Sequence, residues 1–193
     1  MLAIKAVVIA IFVILIGVPL YAIPATLTLP VGLRPGLEDL TIHQAAVQLR
    51  SSGKTDWELV EAARALVAER MKYSRRNSFD SSGRAFERGY GYCTQQSYAL
   101  KHLLTELGFD AKVVQAFQNR FPNGKVASHS WVSVTVDGET RDIDSLFYKE
   151  DLGELDFTPL SEVTEISPAF KLVAFWGGPG VNAHRYYLTG KDM

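Results

Sequence analysis

The dipeptide of Asp137 and Gly138, set between two stretches of alternating apolar and polar residues, constrains this chain more than any other feature. A two-residue Asp-Gly loop suits the tight turn whose twist matches that of paired strands, so a β-hairpin is predicted over residues 129–147. Val136 then opposes Glu139, and counting back along both strands places Trp131 opposite Asp144. His129 lies two residues further along the same face, a diagonal neighbour of Asp144 that polar side chains can bridge. Val132, Val134 and Val136 point the other way and predict a buried stripe. Asp142 shares the His129 face but opposes Ser133, which leaves Asp144 the better partner. A one-residue change in the turn would exchange the two faces.

Two helices are predicted upstream. Thr55 followed by Glu58 has the spacing of a capping box, and Leu59, Ala62, Ala63, Leu66 and Val67 follow at helical intervals. A second apolar stripe, Ala99, Leu100, Leu103, Leu104 and Leu107, ends at Gly108, a residue suited to the left-handed conformation that closes a helix. Between them residues 77–92 are rich in Ser, Gly and Asp and read as a loop, with a short turn near residues 85–88. Residues 111–117 read as a strand. Helices and antiparallel strands in this order predict an α+β domain.

The sole cysteine, Cys93, falls at or beside the start of the second helix. A lone cysteine forms no internal disulfide and supplies no Cys-rich zinc site, which leaves packing or reactivity as its reason. A thiol at a helix N-terminus meets unpaired backbone N–H groups and the positive end of the helix dipole, which favour the thiolate. The same N–H groups can stabilise an oxyanion. His129 is the candidate base, and an Asp144 that accepts the imidazole Nδ1–H would fix the tautomer. The bland alternative is a small buried Cys beside a structural His–Asp pair. His43, His102 and His184 have no motif context, and residues 176–180, "WGGPG", lack the Lys-Ser/Thr of a phosphate loop and read as a turn. No cofactor or metal is expected, because neither HExxH nor an EF-hand pattern occurs. A formal net charge of -1 without a basic patch gives no basis for nucleic-acid binding.

The N-terminus is a separate matter. Residues 6–33 carry no charge, and Lys5 is the only positive charge ahead of them. The run is long enough to span a bilayer. With Ala22 at the -1 position of a cleavage site, Leu20 stands at -3 and fits poorly with signal cleavage, so an uncleaved transmembrane helix over 1–29 is favoured, with a secreted form the outcome if cleavage occurs. With Lys5 held inside, the domain would lie outside the cytoplasm. Residues 30–37, with two prolines and two glycines, predict a linker, and 38–193 the folded domain.

The ordered pieces "GYC" at a helix start, "LLTELGFDAKVV" at its end, "SHSWVSVTV" and "DID" resemble the transglutaminase-like fold, a branch of the papain-like cysteine enzymes. The resemblance covers residues 57–147. Members carry a Gly-x-Cys helix start, a Gly-[Ile/Phe]-x-Ala passage into a strand, a His-x-Trp strand and an Asp ending the next. Here these are Gly91 and Cys93; Gly108, Phe109 and Ala111; His129 and Trp131; and Asp144. The family Asp is often followed by Pro and Thr, whereas Ser145 and Leu146 stand here. Asn77 and Gln95 are the candidates for a second oxyanion donor.

The resemblance implies a papain-like core, with the nucleophile at a helix N-terminus packed on an antiparallel sheet. It also implies a thiol enzyme acting on peptide or glutaminyl amides through Cys93, His129 and Asp144. Hydrolysis is the default resolution of the thioester, because water is abundant; aminolysis would make a transamidase. Peptides or proteins are the expected substrates, with Trp131 and Tyr92 as contact residues, and the membrane is a partner through the N-terminal helix. The rival reading is a catalytically silent peptide-binding module that presents Trp131 and the tyrosines at 90 and 92.

Overall fold

The computed structural model describes residues 31–148, 151–166, 180–182, 185–186 and 190. The predicted anchor over 1–29 lies outside them. Among the described residues no helix is long and apolar enough to cross a membrane. The chain divides into two units: one of Leu33–Tyr73 and Asp80–Ile166, the other of Met1–Gly32, Ser74–Phe79 and Ser167–Met193. In the latter, the Arg76 guanidinium lies 5.8 Å from the Tyr186 ring centroid, within reach of a cation–π contact.

The larger unit is mixed α/β with a curled antiparallel sheet. Helices α1 (Ile42–Arg50), α2 (Asp56–Arg70), α3 (Ser82–Arg88) and α4 (Cys93–Leu107) precede the main strands. Strands β1 (Lys72–Tyr73) and β2 (Tyr90–Gly91) form a small parallel pair. The larger sheet runs β5-β4-β3-β6, from β3 (Asp110–Arg120), β4 (Val126–Val136), β5 (Glu139–Ile143) and β6 (Thr158–Pro159). A further short strand, β7 (Thr164–Glu165), pairs with β3 beside β6.

Turn chemistry sets the sheet register. Asp137 and Gly138 both take positive φ, 50° and 83°, as a primed two-residue turn requires. Val136 pairs with Glu139, and the ladder continues to Val132 opposite Ile143. Val132 and Val134 are fully buried against Leu100, Leu103 and Leu104 of α4 in the main core. The opposite face of the sheet carries a second cluster, Val114, Ala116, Trp131 and Phe157. A bulge in β3 between Ala116 and Asn119 interrupts its pairing with β4 next to this cluster.

The helices depart from expectation at their ends. Thr55 precedes α2 but makes no side-chain cap hydrogen bond, so the expected Thr55–Glu58 box does not form. Its buried face centres on Val60, Ala63, Arg64 and Val67, while Ala62 and Leu66 stay half-buried. A capping box forms instead at Thr41 and Gln44 and starts α1, a helix the periodicity reading passed over. The expected turn near 85–88 is a full helix, α3, capped by Ser81, whose hydroxyl accepts from the Arg84 N–H.

Two left-handed glycines end helices in different surroundings. Gly108 closes α4 at φ 102° in open space, whereas Gly89 closes α3 at φ 76° against Leu37 and the Arg70 carbonyl. A methyl group at 89 meets main chain 3.0 Å away, which cannot move cheaply. Gly108→Ala should therefore cost about 1 kcal/mol from the left-handed conformation alone, and Gly89→Ala about 2 kcal/mol or more. Urea unfolding of the two variants checks the order.

Candidate active site

Cys93 is the first residue of α4, and the chain enters the helix from Tyr92 in extended conformation. Gln95 caps this end: its Oε1 accepts from the Tyr92 N–H at 3.2 Å, and its Nε2 donates to the Asp80 carbonyl at 2.9 Å. Gln95 therefore serves the cap rather than an oxyanion, and Asn77 belongs to the other unit. Gln96 Nε2 reaches the Gly91 carbonyl at 2.9 Å and ties the preceding strand to the same turn.

Hydroxyl groups join this helix end to β4. Ser97 Oγ lies 2.9 Å from the Cys93 carbonyl and 2.8 Å from the Ser130 carbonyl, so one hydroxyl bridges helix and strand. Thr94 Oγ1 and Ser130 Oγ are 2.9 Å apart, and the Cys93 Sγ lies 3.9 Å from Thr94 Oγ1. The fixed offset between α4 and β4 is what brings Cys93 to His129, the residue before Ser130. Cys93 as a whole residue is half-buried.

His129 Nε2 and Asp144 Oδ2 are 2.6 Å apart, and both side chains are buried. The imidazole nitrogen that meets the carboxylate is Nε2, not the Nδ1 assumed from the sequence, which leaves Nδ1 for the thiol. Asp144 Oδ1 accepts from the Leu146 N–H at 2.9 Å, so both carboxylate oxygens are held. The Ser145 and Leu146 pair thus supports Asp144 by a turn of its own without the family's Pro. Asp142 pairs with Ser133, away from this group.

Four aromatic rings enclose the imidazole. Phe157, Phe147 and Phe121 stand edge-to-face with it at centroid separations of 4.8, 5.2 and 5.8 Å, and Trp131 lies nearly parallel at 6.3 Å. Trp131 has no exposed surface. It backs His129 from within the second cluster, so this conformation gives it no face for a peptide. Tyr92 is also buried, and burial pushes its phenol well above the ordinary range. Phe121 and Phe157 have no sequence motif, and they became visible as site residues only once β3 and the segment 151–166 were folded together.

These surroundings set the charge state. Burial pushes the Cys93 thiol up, but the hydrogen bond and charge of His129, with the Ser130 and Thr94 hydroxyls, outweigh it and leave the thiol below its ordinary value. For His129, burial favours the neutral ring, yet Asp144 and Cys93 together raise it to about 9. Both shifts favour a thiolate beside an imidazolium at neutral pH.

The fold and this arrangement agree with what similarity shows: the chain belongs to the transglutaminase-like superfamily, which matches residues 43–140, just over half its length. That stretch includes Cys93 and His129 and stops before Asp144. Among solved structures, a TGase is similar at 19% identity and a TM-score of 0.46, over 57% of this chain and 32% of that one. A candidate cysteine protease from Cytophaga hutchinsonii is similar at 11% identity and a TM-score of 0.49, over 65% and 48%. A candidate protease from Parabacteroides distasonis is similar at 14% identity and a TM-score of 0.41, over 53% and 22%. This chain spans less than half the length of each. No curated protein matches it.

Iodoacetamide alkylation of Cys93 against pH reads the pair directly. The expected profile has a reactive plateau well below the free-thiol value of about 8.5, then a second rise near pH 9 as His129 loses its proton. His129→Ala should abolish the plateau and leave one step near the ordinary thiol value.

Proposed function

We propose that this protein is a membrane-anchored thiol hydrolase of peptide or glutaminyl amides, acting outside the cytoplasm. The observation that carries the reading is the 2.6 Å contact of His129 Nε2 with Asp144, behind an imidazole whose other nitrogen is left for Cys93 at the start of α4. The charge-free run over 6–33 behind Lys5 supports the anchor and its orientation.

The chemistry follows from that arrangement. The Cys93 thiolate attacks the amide carbon; the S–C bond forms, and the carbonyl electrons move to oxygen. Backbone N–H groups at the start of α4, which have no partner within the helix, are the donors this reading assigns to that oxyanion. As the C–N bond breaks, the imidazolium gives its proton to the nitrogen and the amine departs, leaving a thioester and a neutral imidazole. Water then attacks the thioester, His129 takes its proton, and the carboxylic acid and thiolate are released. Asp144 remains a carboxylate throughout and stabilises the imidazolium that is present before acylation and again during water attack.

Cys93→Ser should abolish amide turnover, since no second thiol exists to replace it. Asp144→Asn should lower the rate by about 10^3 to 10^4-fold, while Asp142→Asn should stay within about twofold of wild type. Turnover of a fluorogenic peptide library, read as kcat/KM, checks both. The profile against pH should fall above about 9, where His129 no longer holds the proton that the leaving amine needs. Retained turnover in pure Cys93→Ser protein would reject the mechanism.

A further inference from the structure

Two hydroxyl groups stand beside the reacting sulfur. Thr94 Oγ1 is 3.9 Å from Cys93 Sγ and 2.9 Å from Ser130 Oγ. Ser130 is buried on β4 next to His129, whereas Thr94 is half-buried in the first turn of α4. The Ser97 hydroxyl, 2.9 Å from the Cys93 carbonyl and 2.8 Å from the Ser130 carbonyl, already ties helix to strand. What distinguishes the Thr94–Ser130 contact from that tie is the sulfur it faces.

Counting protons gives this contact a chemical meaning. Each hydroxyl carries one proton, so one lies between the two oxygens and the other is left to face the sulfur. When Ser130 donates to Thr94 Oγ1, the remaining proton is that of Thr94. At 3.9 Å its contact with the thiolate is loose. Attack on a carbonyl moves the negative charge from sulfur to an oxygen one atom away, which is the stronger acceptor. Donors to an oxyanion stand about 2.7 to 3.1 Å from it, and a hydroxyl 3.9 Å from the sulfur is at a spacing that reaches it. An interaction that is weak before attack and strong during it is the kind that accelerates a reaction. The side-chain donors expected from the sequence are engaged elsewhere: Gln95 Nε2 donates to the Asp80 carbonyl at 2.9 Å, and Asn77 belongs to the other unit.

We propose that Thr94 is a catalytic residue whose hydroxyl donates a hydrogen bond to the oxyanion, and that Ser130 is the positioning residue that aims it. The inference rests on the amide-cleaving reading and adds a side-chain donor to the backbone N–H groups of α4. As the S–C bond forms, the Thr94 O–H turns from the sulfur to the carbonyl oxygen that has taken the charge. As the C–N bond breaks, the carbonyl re-forms and that hydrogen bond weakens again. Thr94 keeps its proton throughout, so the proton given to the leaving amine is still that of His129.

Thr94→Val, Thr94→Ser and Ser130→Ala in the full-length protein in detergent test this against the fluorogenic peptide that wild type cleaves fastest. Thr94→Val, which keeps the shape and loses the hydroxyl, should lower kcat by about 10^2 to 10^3-fold with KM within about threefold. Thr94→Ser should restore kcat to within about fivefold of wild type, and Ser130→Ala should lower it about fivefold, the scale of one ordinary hydrogen bond. Ser130→Ala added to Thr94→Val should cost nothing more, because a residue that only aims the hydroxyl has no effect once the hydroxyl is gone. The low-pH alkylation plateau of Cys93 should persist in Thr94→Val, which separates a lost oxyanion donor from a disturbed thiolate–imidazolium pair. A kcat for Thr94→Val within twofold of wild type, a plateau lost with it, no rescue by serine, or additive losses in the double variant would overturn the proposal and leave the amide-cleaving reading standing. Absence of turnover in wild type would reject both.

Discussion

The contact between His129 and Asp144 organises the candidate site. Two buried ionisable groups 2.6 Å apart stabilise one another only if each is also held by its surroundings. Here the carboxylate has a second hydrogen bond from the Leu146 N–H, and the imidazole is enclosed by Phe121, Trp131, Phe147 and Phe157. Losing Asp144 would remove the carboxylate that holds the buried imidazolium, a cost of about 3 to 5 kcal/mol for a broken buried pair. The ring would then become neutral, and the thiol would lose the cation that lowers its pKa. The charge state of Cys93 therefore depends on a carboxylate at the far side of the imidazole.

That chain of dependence begins in local geometry. The turn at Asp137 and Gly138 sets the register between β4 and β5, and this register brings the end of β5 beside His129. The Ser97 hydroxyl joins the first turn of α4 to the Ser130 carbonyl and fixes where the thiol stands along the strand. The segment 151–166 adds the closest ring, Phe157, through two short strands that pair with β3. A helix end, a hairpin and a returning segment thus each supply one side of the same group.

Much of this was legible in the sequence because it depends on local rules. The Asp-Gly turn allows one register, the leucine stripe and Gly108 bound α4, and the ordered motifs pointed to the family. Other features were hidden because they depend on tertiary packing. No periodicity marks Phe121 or Phe157, and two-residue strands such as β6 and β7 leave too little pattern to read. Trp131 was expected to face a peptide, but aromatic residues fit the second cluster as well as a surface, and only the fold decides between them. The choice of Nε2 over Nδ1 follows from the angle at which the imidazole meets Asp144, which register counting does not contain. The helix at Ile42–Arg50 was readable from Thr41 and Gln44, whereas Thr55 and Glu58 had the right spacing without the bond.

The central claim is that His129 is an imidazolium at neutral pH, held by Asp144 and facing a thiolate. Nitrogen-15 NMR of the His129 ring at pH 7 tests it most directly. The account predicts that both ring nitrogens are protonated, with a low-field proton on Nε2, and that this state persists until the pH approaches about 9. A neutral ring carrying a single proton at pH 7, titrating near the ordinary histidine value of about 6.5, would contradict it.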